Sequence, residues 1–600
     1  MTTTTAIADC LAHHDGSPLY VSDPAPQLGD KMEIFVRTAR AAGAQRVHVR
    51  SIVDGEPSFA EAQIDRVDGE ETWWRASVEV TTTELSYRFL LETPTGNVWL
   101  NAGGLSRREI PDTVDFRIVT HPAPPSWAEG AVIYQIFPDR FARSAHHPTG
   151  PLPDWAVPAA WDDPIPYGTP AGTRQIYGGT LWGVAERLDY LHSLGVDALY
   201  LTPFFPARSN HRYDACDFDR VDPLLGGGAA LRHLTAQAHR RGMRVLGDIT
   251  LNHTGDAHPW FRRGQADPAS TEAGFYYFGE DRSQYASFFG VPSLPKLDHT
   301  SPELRRRLYE GRGSVVARYI EEFGLDGWRV DVAQSAGRHG AIDLNAEMAR
   351  RTRGTMRAVA PESLLLAEHP FDASSSLHGD GWHGTMAYAG FARPLWYWLG
   401  GQDVSELWGV PGPMPRYGGA DMAAVMRDFA ALIPWRSVTH NLTLLDSHDT
   451  PRFRSMAGRD HHHLGVALLM TLPGLPMVFA GDEVGVEGVH SEDGRRPFPW
   501  DEAAWDRATL ELFRALIALR RRHPALRSGG LRWLHCADDV VLYERALPDE
   551  TLLVQVSRAA HTPLAAPLAA ENLLGGPDLA PGAAMPADGP AFHIWRTARP

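Results

Sequence analysis

Eight short apolar runs, separated by amphipathic stretches and polar loops, fill the middle of this 600-residue chain, and no other feature limits its fold as strongly. They are Val132–Phe137, Ala198–Leu201, Val245–Leu251, Gly327–Val332, Ser363–Ala367, Gly384–Tyr388, Leu442–Leu445 and Pro476–Phe479. Between them, Val184, Leu188, Leu191 and Leu194 share one helical face ended by Gly195, and Val315, Val316, Tyr319, Ile320 and Phe323 share another ended by Gly324. Eight strands alternating with helices over roughly 400 residues predict an α/β architecture, a (β/α)8 TIM barrel over 127–525. The interval from Leu251 to Gly327 is too long for one connection and predicts an inserted subdomain, 253–297, rich in Trp, Phe and Tyr. Ala145 to Arg174, with seven prolines, predicts a long irregular loop.

The flanks read differently. Residues 1–125 carry short β-branched and aromatic runs such as Arg46–Ile52, Trp73–Val80 and Leu85–Leu91 between turn signals, which predicts an N-terminal β-sandwich. His121-Pro122-Ala123-Pro124-Pro125 reads as a stiff linker. Residues 526–600 return to short strands and predict a C-terminal β domain, also sandwich-like. Its tail from His561 is rich in Ala and Pro and is expected to pack poorly in part.

Composition narrows the partners. A net charge of −16 argues against nucleic acid and anionic membranes, both of which need basic surface. The apolar run Leu464–Ala480 contains Gly465, Pro473, Gly474 and Pro476 and predicts buried helix plus strand, not a membrane span. Cys10, Cys216 and Cys536 are too few and too scattered for a disulfide framework and read as ordinary thiols. With no secretory pattern in Met1 to Tyr20, a cytoplasmic location is expected.

In such a barrel, chemistry sits at the C-terminal ends of the strands. The third run ends Asp248-Ile-Thr-Leu-Asn252-His253, the fourth holds Arg329 and Asp331, the fifth ends in Glu368-His369 and the seventh in Asp446-Ser-His448-Asp449. Period-two alternation points Arg329 and Asp331 into the barrel and Trp328 and Val330 towards the helices. A buried ion pair is a weak source of stability, so a core salt bridge explains these charges poorly. Three carboxylates at strand ends, Asp331, Glu368 and Asp449, suit glycoside hydrolysis, which needs a nucleophile and an acid/base around an oxocarbenium-like transition state. Arg329 beside Asp331 is expected to keep that carboxylate ionised, and crowding to raise the pKa of at least one other. A metal site drawing on Asp248, Asn252 and His253 is the competing reading, but no spacing matches a metal cage. The run His461-His-His463 is expected in a solvated loop.

These segments, in this order, resemble the four sequence regions of the α-amylase superfamily of glycoside hydrolases. Tyr134-Gln-Ile-Phe-Pro-Asp-Arg-Phe141, His211-Arg-Tyr213-Asp214, Leu294-Pro-Lys-Leu297 and Gly481-Asp-Glu483 support the resemblance. The Pro-Lys-Leu segment and the N-terminal domain look like the branch of neopullulanases, cyclomaltodextrinases, maltogenic amylases and maltodextrin glucosidases. Ala367-Glu-His369, Asp446-Ser-His-Asp-Thr450 and Arg496-Pro-Phe-Pro-Trp500 look closest to maltodextrin glucosidase.

The resemblance implies retaining hydrolysis of α-1,4-glucosidic bonds in short maltooligosaccharides. Asp331 would be nucleophile, Glu368 acid/base and Asp449 transition-state stabiliser. Arg329 would orient Asp331; His253, His448, His211 and Tyr213 would contact the sugar at the cleavage point, with Asp248 and Asn252 also in the binding set. Gln334, Ser335 and Pro370 depart from common acceptor-side residues, so a transglycosylase or isomerase on the same machinery stays open. A sugar-binding protein without catalysis would lack a carboxylate, and none is missing. No metal and no cofactor are expected: Arg143-Ser-Ala-His-His147 lacks the Asn and Asp that bind calcium in many relatives, and Thr180 replaces an expected Asp. For residues 1–125, sugar binding, a homodimer contact and plain packing remain open.

Overall fold

The computed structural model describes residues 11–401 and 411–597; Cys10 lies outside them. Eight parallel strands form the centre: β1 (Ile133–Ile136), β2 (Ala198–Leu201), β3 (Arg244–Thr250), β4 (Gly327–Asp331), β5 (Leu364–Ala367), β6 (Gly384–Thr385), β7 (Leu442–Leu444) and β8 (Leu475–Phe479). Each pairs with its neighbours in sequence, β8 pairs with β1, and a parallel bridge from Met386 to Leu442 closes the ring. This is a TIM barrel. Both faces of its strands are covered, which is why β2, β5 and β8 are apolar and buried throughout.

β4 shows how pattern becomes position. Trp328 turns outward, packs on Tyr319 and donates from Nε1 to the Val316 carbonyl at 3.2 Å, both on the helix Val315–Phe323. Arg329 and Asp331 turn inward. A Cβ on Gly327 would lie 2.0 Å from the Leu364 carbonyl oxygen, so glycine is needed where β4 starts beside β5. β6 is shorter than its apolar run predicts: after Thr385 the chain coils into a π-helical turn, Tyr388–Ala392, and the helix Arg393–Leu399.

The segment 253–297 rises from the end of β3 and returns on itself through bridges from His253 to Lys296 and Tyr276 to Leu297. Its base is tied at Asn252, whose Oδ1 accepts from Lys296 Nζ at 2.5 Å.

The N-terminal strands are all antiparallel, and the long strand Glu56–Asp68 pairs first with Arg46–Val53 and then with Glu71–Glu79, passing from one layer to the other. The C-terminal sheet has five antiparallel strands, and the two flanking domains meet through Arg37, which is ion-paired with Glu544, and through Arg532 and Glu71 at 2.5 Å.

Two expectations are corrected. The tail from His561 to Thr597 is packed, because Ala591–Thr597 pairs with Glu550–Ser557 and Ala566, Leu579, Met585 and Trp595 form a small core. His461, His462 and His463 lie in the helix Arg459–Thr471, with His462 buried against Phe453 and Phe513, because the apolar residues from Leu464 onward continue a helical face through them.

Candidate active site

The inward charges gather at one end of the barrel. β3 and β4 are in register with Asp248 opposite Arg329 and Thr250 opposite Asp331. Arg329, fully buried, donates from Nη1 to both Asp248 oxygens at 3.0 Å and to Asp331 Oδ1 at 3.1 Å, and its Nη2 lies 3.1 Å from Glu368 Oε2. One guanidinium therefore holds three carboxylates from three strands.

Asp248 and Asn252 are also fully buried and have protein partners. Asp248 accepts from the Tyr200 hydroxyl at 2.7 Å and the Tyr213 hydroxyl at 2.8 Å, while Asn252 bonds to Lys296 and, through its amide, to His253 Nδ1 at 3.1 Å. They hold other side chains in place.

Asp331 ends β4, and the next residue, Val332, has φ +37°, a strained conformation for a β-branched residue. That turn aims the Val332 N–H at Glu368 Oε2, 2.7 Å away. The Val332 N–H and the Arg329 charge thus both fall on Oε2, which leaves Oε1 to carry a proton. Burial raises the Asp331 pKa well above its ordinary value; the Glu368 charge adds to the rise and Arg329 opposes it. Burial also raises Glu368, with Asp449 adding and Arg329 and the Val332 N–H opposing. The expectation that Arg329 beside Asp331 keeps that carboxylate ionised is corrected: the contact exists, but burial and the second carboxylate outweigh it. The two carboxyl groups titrate as a coupled pair, both pushed up by burial.

Asp449 differs. Its side chain is 38% exposed, Arg495 Nη2 donates to Oδ1 at 3.1 Å and His448 Nε2 lies 3.1 Å from Oδ2. Burial pushes its pKa up, but His448, Arg495 and Arg329 outweigh it and hold the carboxyl below its ordinary value.

The histidines are neutral. Burial drives His253, His448 and His211 down to about 3. The Gln135 amide donates to His448 Nδ1 at 3.0 Å, so the proton sits on Nε2, which points to the Tyr213 hydroxyl at 2.6 Å and to Asp449. The Tyr213 and His448 rings are nearly parallel. Asn252 likewise places the proton of His253 on Nε2, a buried donor with no partner among the described residues, 4.0 Å from Asp331 Oδ2. His211, partly exposed, accepts the Tyr213 backbone N–H at Nδ1 and lies beside the Tyr213 ring.

The structure thus brings every residue singled out above into one cluster and adds Gln135, Tyr200 and Arg495. Gln135 had a signal, a polar residue inside an apolar strand. Arg495 had none.

Calcium fails a test of fit at the loop after β1. Arg143 donates from Nε to the Tyr177 carbonyl at 2.7 Å and from Nη2 to the Ala159 carbonyl at 3.0 Å, so a cation already occupies these oxygens. The Thr180 hydroxyl caps the helix Leu181–Glu186 by accepting from Gly183 N–H. Among the described residues, no group of three or more His, Cys, Asp or Glu is placed to hold a metal ion.

A parallel eight-stranded barrel with carboxylates from β4, β5 and β7 around one arginine at its catalytic end is the layout of a barrel enzyme acting on glycosidic bonds. Comparison with known proteins makes the class specific. The family profile "Alpha amylase, catalytic domain" matches residues 135–358 and 420–527. Neopullulanase 2 of Thermoactinomyces vulgaris is 32% identical over 81% of this chain and 80% of its own length, and intracellular maltogenic amylase of Bacillus subtilis is 28% identical over 84% and 82%. A solved cyclomaltodextrinase superposes with a TM-score of 0.74 over 98% of this chain and 99% of its own; at 24% identity it speaks for the fold. The chain belongs to the α-amylase family and is an enzyme acting on α-glucosidic bonds.

Proposed function

We propose that the protein hydrolyses α-1,4-glucosidic bonds of short linear or cyclic maltooligosaccharides with retention of configuration, as an enzyme of the neopullulanase, cyclomaltodextrinase and maltogenic amylase type. The relatives favour this side of the branch over maltodextrin glucosidase, to which the short motifs pointed. The observation that carries the mechanism is the Arg329 bridge, which keeps Asp331 and Glu368 close together. In retaining glycosidases the two carboxyl groups are close enough for one to attack the sugar directly.

In this reading Asp331 attacks the anomeric carbon through Oδ2, the oxygen that Arg329 leaves free. Glu368 gives the proton on Oε1 to the leaving oxygen, then takes one from water to release the second product. Asp449, held ionised, faces the positive charge that develops on the ring. His253 Nε2–H donates to a sugar hydroxyl, His448 Nε2–H holds the Tyr213 hydroxyl and Asp449 beside the sugar, and the Tyr213 ring offers an apolar face for C–H stacking. The reading assigns no calcium to the loop after β1, where Arg143 supplies the positive charge.

We further propose a cytoplasmic location, supported by a relative named as intracellular. Among the described residues no helix is long and apolar enough to cross a membrane. We propose a domain division at 1–125, 127–525 and 526–600, supported by the change from antiparallel sheet to parallel barrel and back; the last boundary falls within the helix Pro524–Arg527. The N-terminal domain could join two copies through Phe59, Ile64 and Val67, exposed along one strand; a monomer in analytical ultracentrifugation would contradict that.

The experiment is incubation with maltotriose, a cyclic maltodextrin and pullulan, with product anomers followed by NMR. Initial α-anomers from maltotriose and the cyclic substrate support the reading. Initial β-anomers, or turnover of none of the three, would sink it.

A further inference from the structure

Asp446 lies just past β7, two residues before His448, and is fully buried. Its Oδ2 accepts the Phe453 backbone N–H at 2.6 Å, spanning the segment that carries His448 and Asp449. Its Oδ1 is buried and has no donor among the described residues, and the carboxyl of Asp482, in the turn after β8, faces this side chain. Asp482 is already supplied: Oδ1 accepts from Arg452 Nη1 at 2.6 Å and Oδ2 from the Phe479 N–H at 3.2 Å. Arg452 also donates to the Gly494 and Ala480 carbonyls, both at 2.8 Å, tying the same segment to the loop after β8. Two touching buried carboxylates cannot both ionise, and the arginine sits on Asp482. The proton therefore belongs to Asp446.

We propose that Asp446 is a positioning residue for the reaction, a carboxylic acid that donates from Oδ1 to Asp482 and so locks the segment presenting His448 and Asp449 against the end of β8. This rests on the reading of Asp449 as a catalytic group. The groups facing Asp446 are Asp482 and Arg452; the next carboxylate, Glu483, is turned away to the hydroxyls of Tyr134 and Tyr190. Burial, then Asp482, hold the Asp446 proton well above the usual carboxylate range, against Arg452 and the Phe453 N–H. The folded state keeps a proton that the unfolded chain has lost, so this contribution is full in acid, below the unfolded carboxylate pKa. It is lost as pH rises through the folded value.

The test compares Asp446→Asn, Asp446→Ala and Asp482→Asn with the parent, reading kcat, KM and melting temperature against pH. Asn keeps both hydrogen bonds without a titrating proton. It should hold kcat within about threefold, and its melting temperature should gain on the parent as pH rises, whereas Ala should lower kcat about tenfold or more with KM little changed. Asp482→Asn, which removes the negative charge that Arg452 faces, should cost more than Asp446→Asn. An Asn variant as impaired as Ala, or a melting difference flat across pH, would overturn the proposal. If the Ala variant does not fold, the Asn comparison with the parent decides alone. If Asp449→Asn stays active, the catalytic reading fails while the pH-dependent melting result still stands.

Discussion

Gln135 on β1 holds His448 from two directions: its side-chain carbonyl accepts the His448 backbone N–H at 3.1 Å, and its amide donates to the imidazole Nδ1 at 3.0 Å. A residue 313 positions away in the chain thus sets both the place and the tautomer of the ring. Replacing Gln135 with Leu leaves a buried N–H unpaired, at a cost of about 1–3 kcal/mol, and frees Nδ1 to take the proton. We expect kcat/KM to fall about ten- to a hundredfold, and imidazole nitrogen NMR shifts to show the tautomer change.

The second prediction concerns stability. Burial and Glu368 keep Asp331 protonated to higher pH than in the unfolded chain, so its ionisation costs stability as pH rises through the folded value. Asp331→Asn should abolish activity yet raise the melting temperature, with a gain that grows from mildly acidic to alkaline pH. A variant less stable than the parent at alkaline pH contradicts the crowding of charge at the site.

The pH profile offers a third. The acid limb of kcat/KM reports the second proton reaching the Asp331 and Glu368 pair, and the alkaline limb the loss of the last one. With an aryl glucoside whose leaving group needs no proton, Glu368→Gln should retain the acid limb and lose the alkaline one. Because His253, His448 and His211 stay neutral, no limb should follow their replacement by Asn.

Metal dependence gives the fourth. Prolonged EDTA treatment should leave activity and melting temperature unchanged. Arg143→Ala should remove about 1–3 kcal/mol of stability by orphaning the Tyr177 and Ala159 carbonyls, and added calcium should not restore it. A calcium-dependent melting temperature in the parent would overturn this.

Much of the barrel is legible because parallel strands buried on both faces must be apolar throughout; β2 stands where its run predicts, Ala198–Leu201. β6 is less so, since Met386-Ala-Tyr-Ala-Gly-Phe-Ala392 suits a strand and a helical turn equally, and the chain takes the turn from Tyr388. The carboxylates are readable because charge at the end of an apolar strand has few structural uses. The supports of the site are not: Arg495 reaches Asp449 from 46 positions away, and nothing local marks it. In the C-terminal tail, Ala-rich and Pro-rich composition hides the alternation of Phe592, Ile594 and Arg596 with Trp595 that builds a strand.

Asp331 forms a covalent bond to the sugar in this mechanism, and Glu368 is needed to break it. The most direct measurement is mass spectrometry of the Glu368→Gln variant after reaction with a 5-fluoro-α-glucosyl fluoride, whose leaving group departs without a proton. A stable glycosyl adduct is expected on the peptide containing Asp331, absent in the double variant with Asp331→Asn. An adduct on Glu368→Gln that maps instead to Asp449, or steady fluoride release with no adduct at all, would contradict this mechanism.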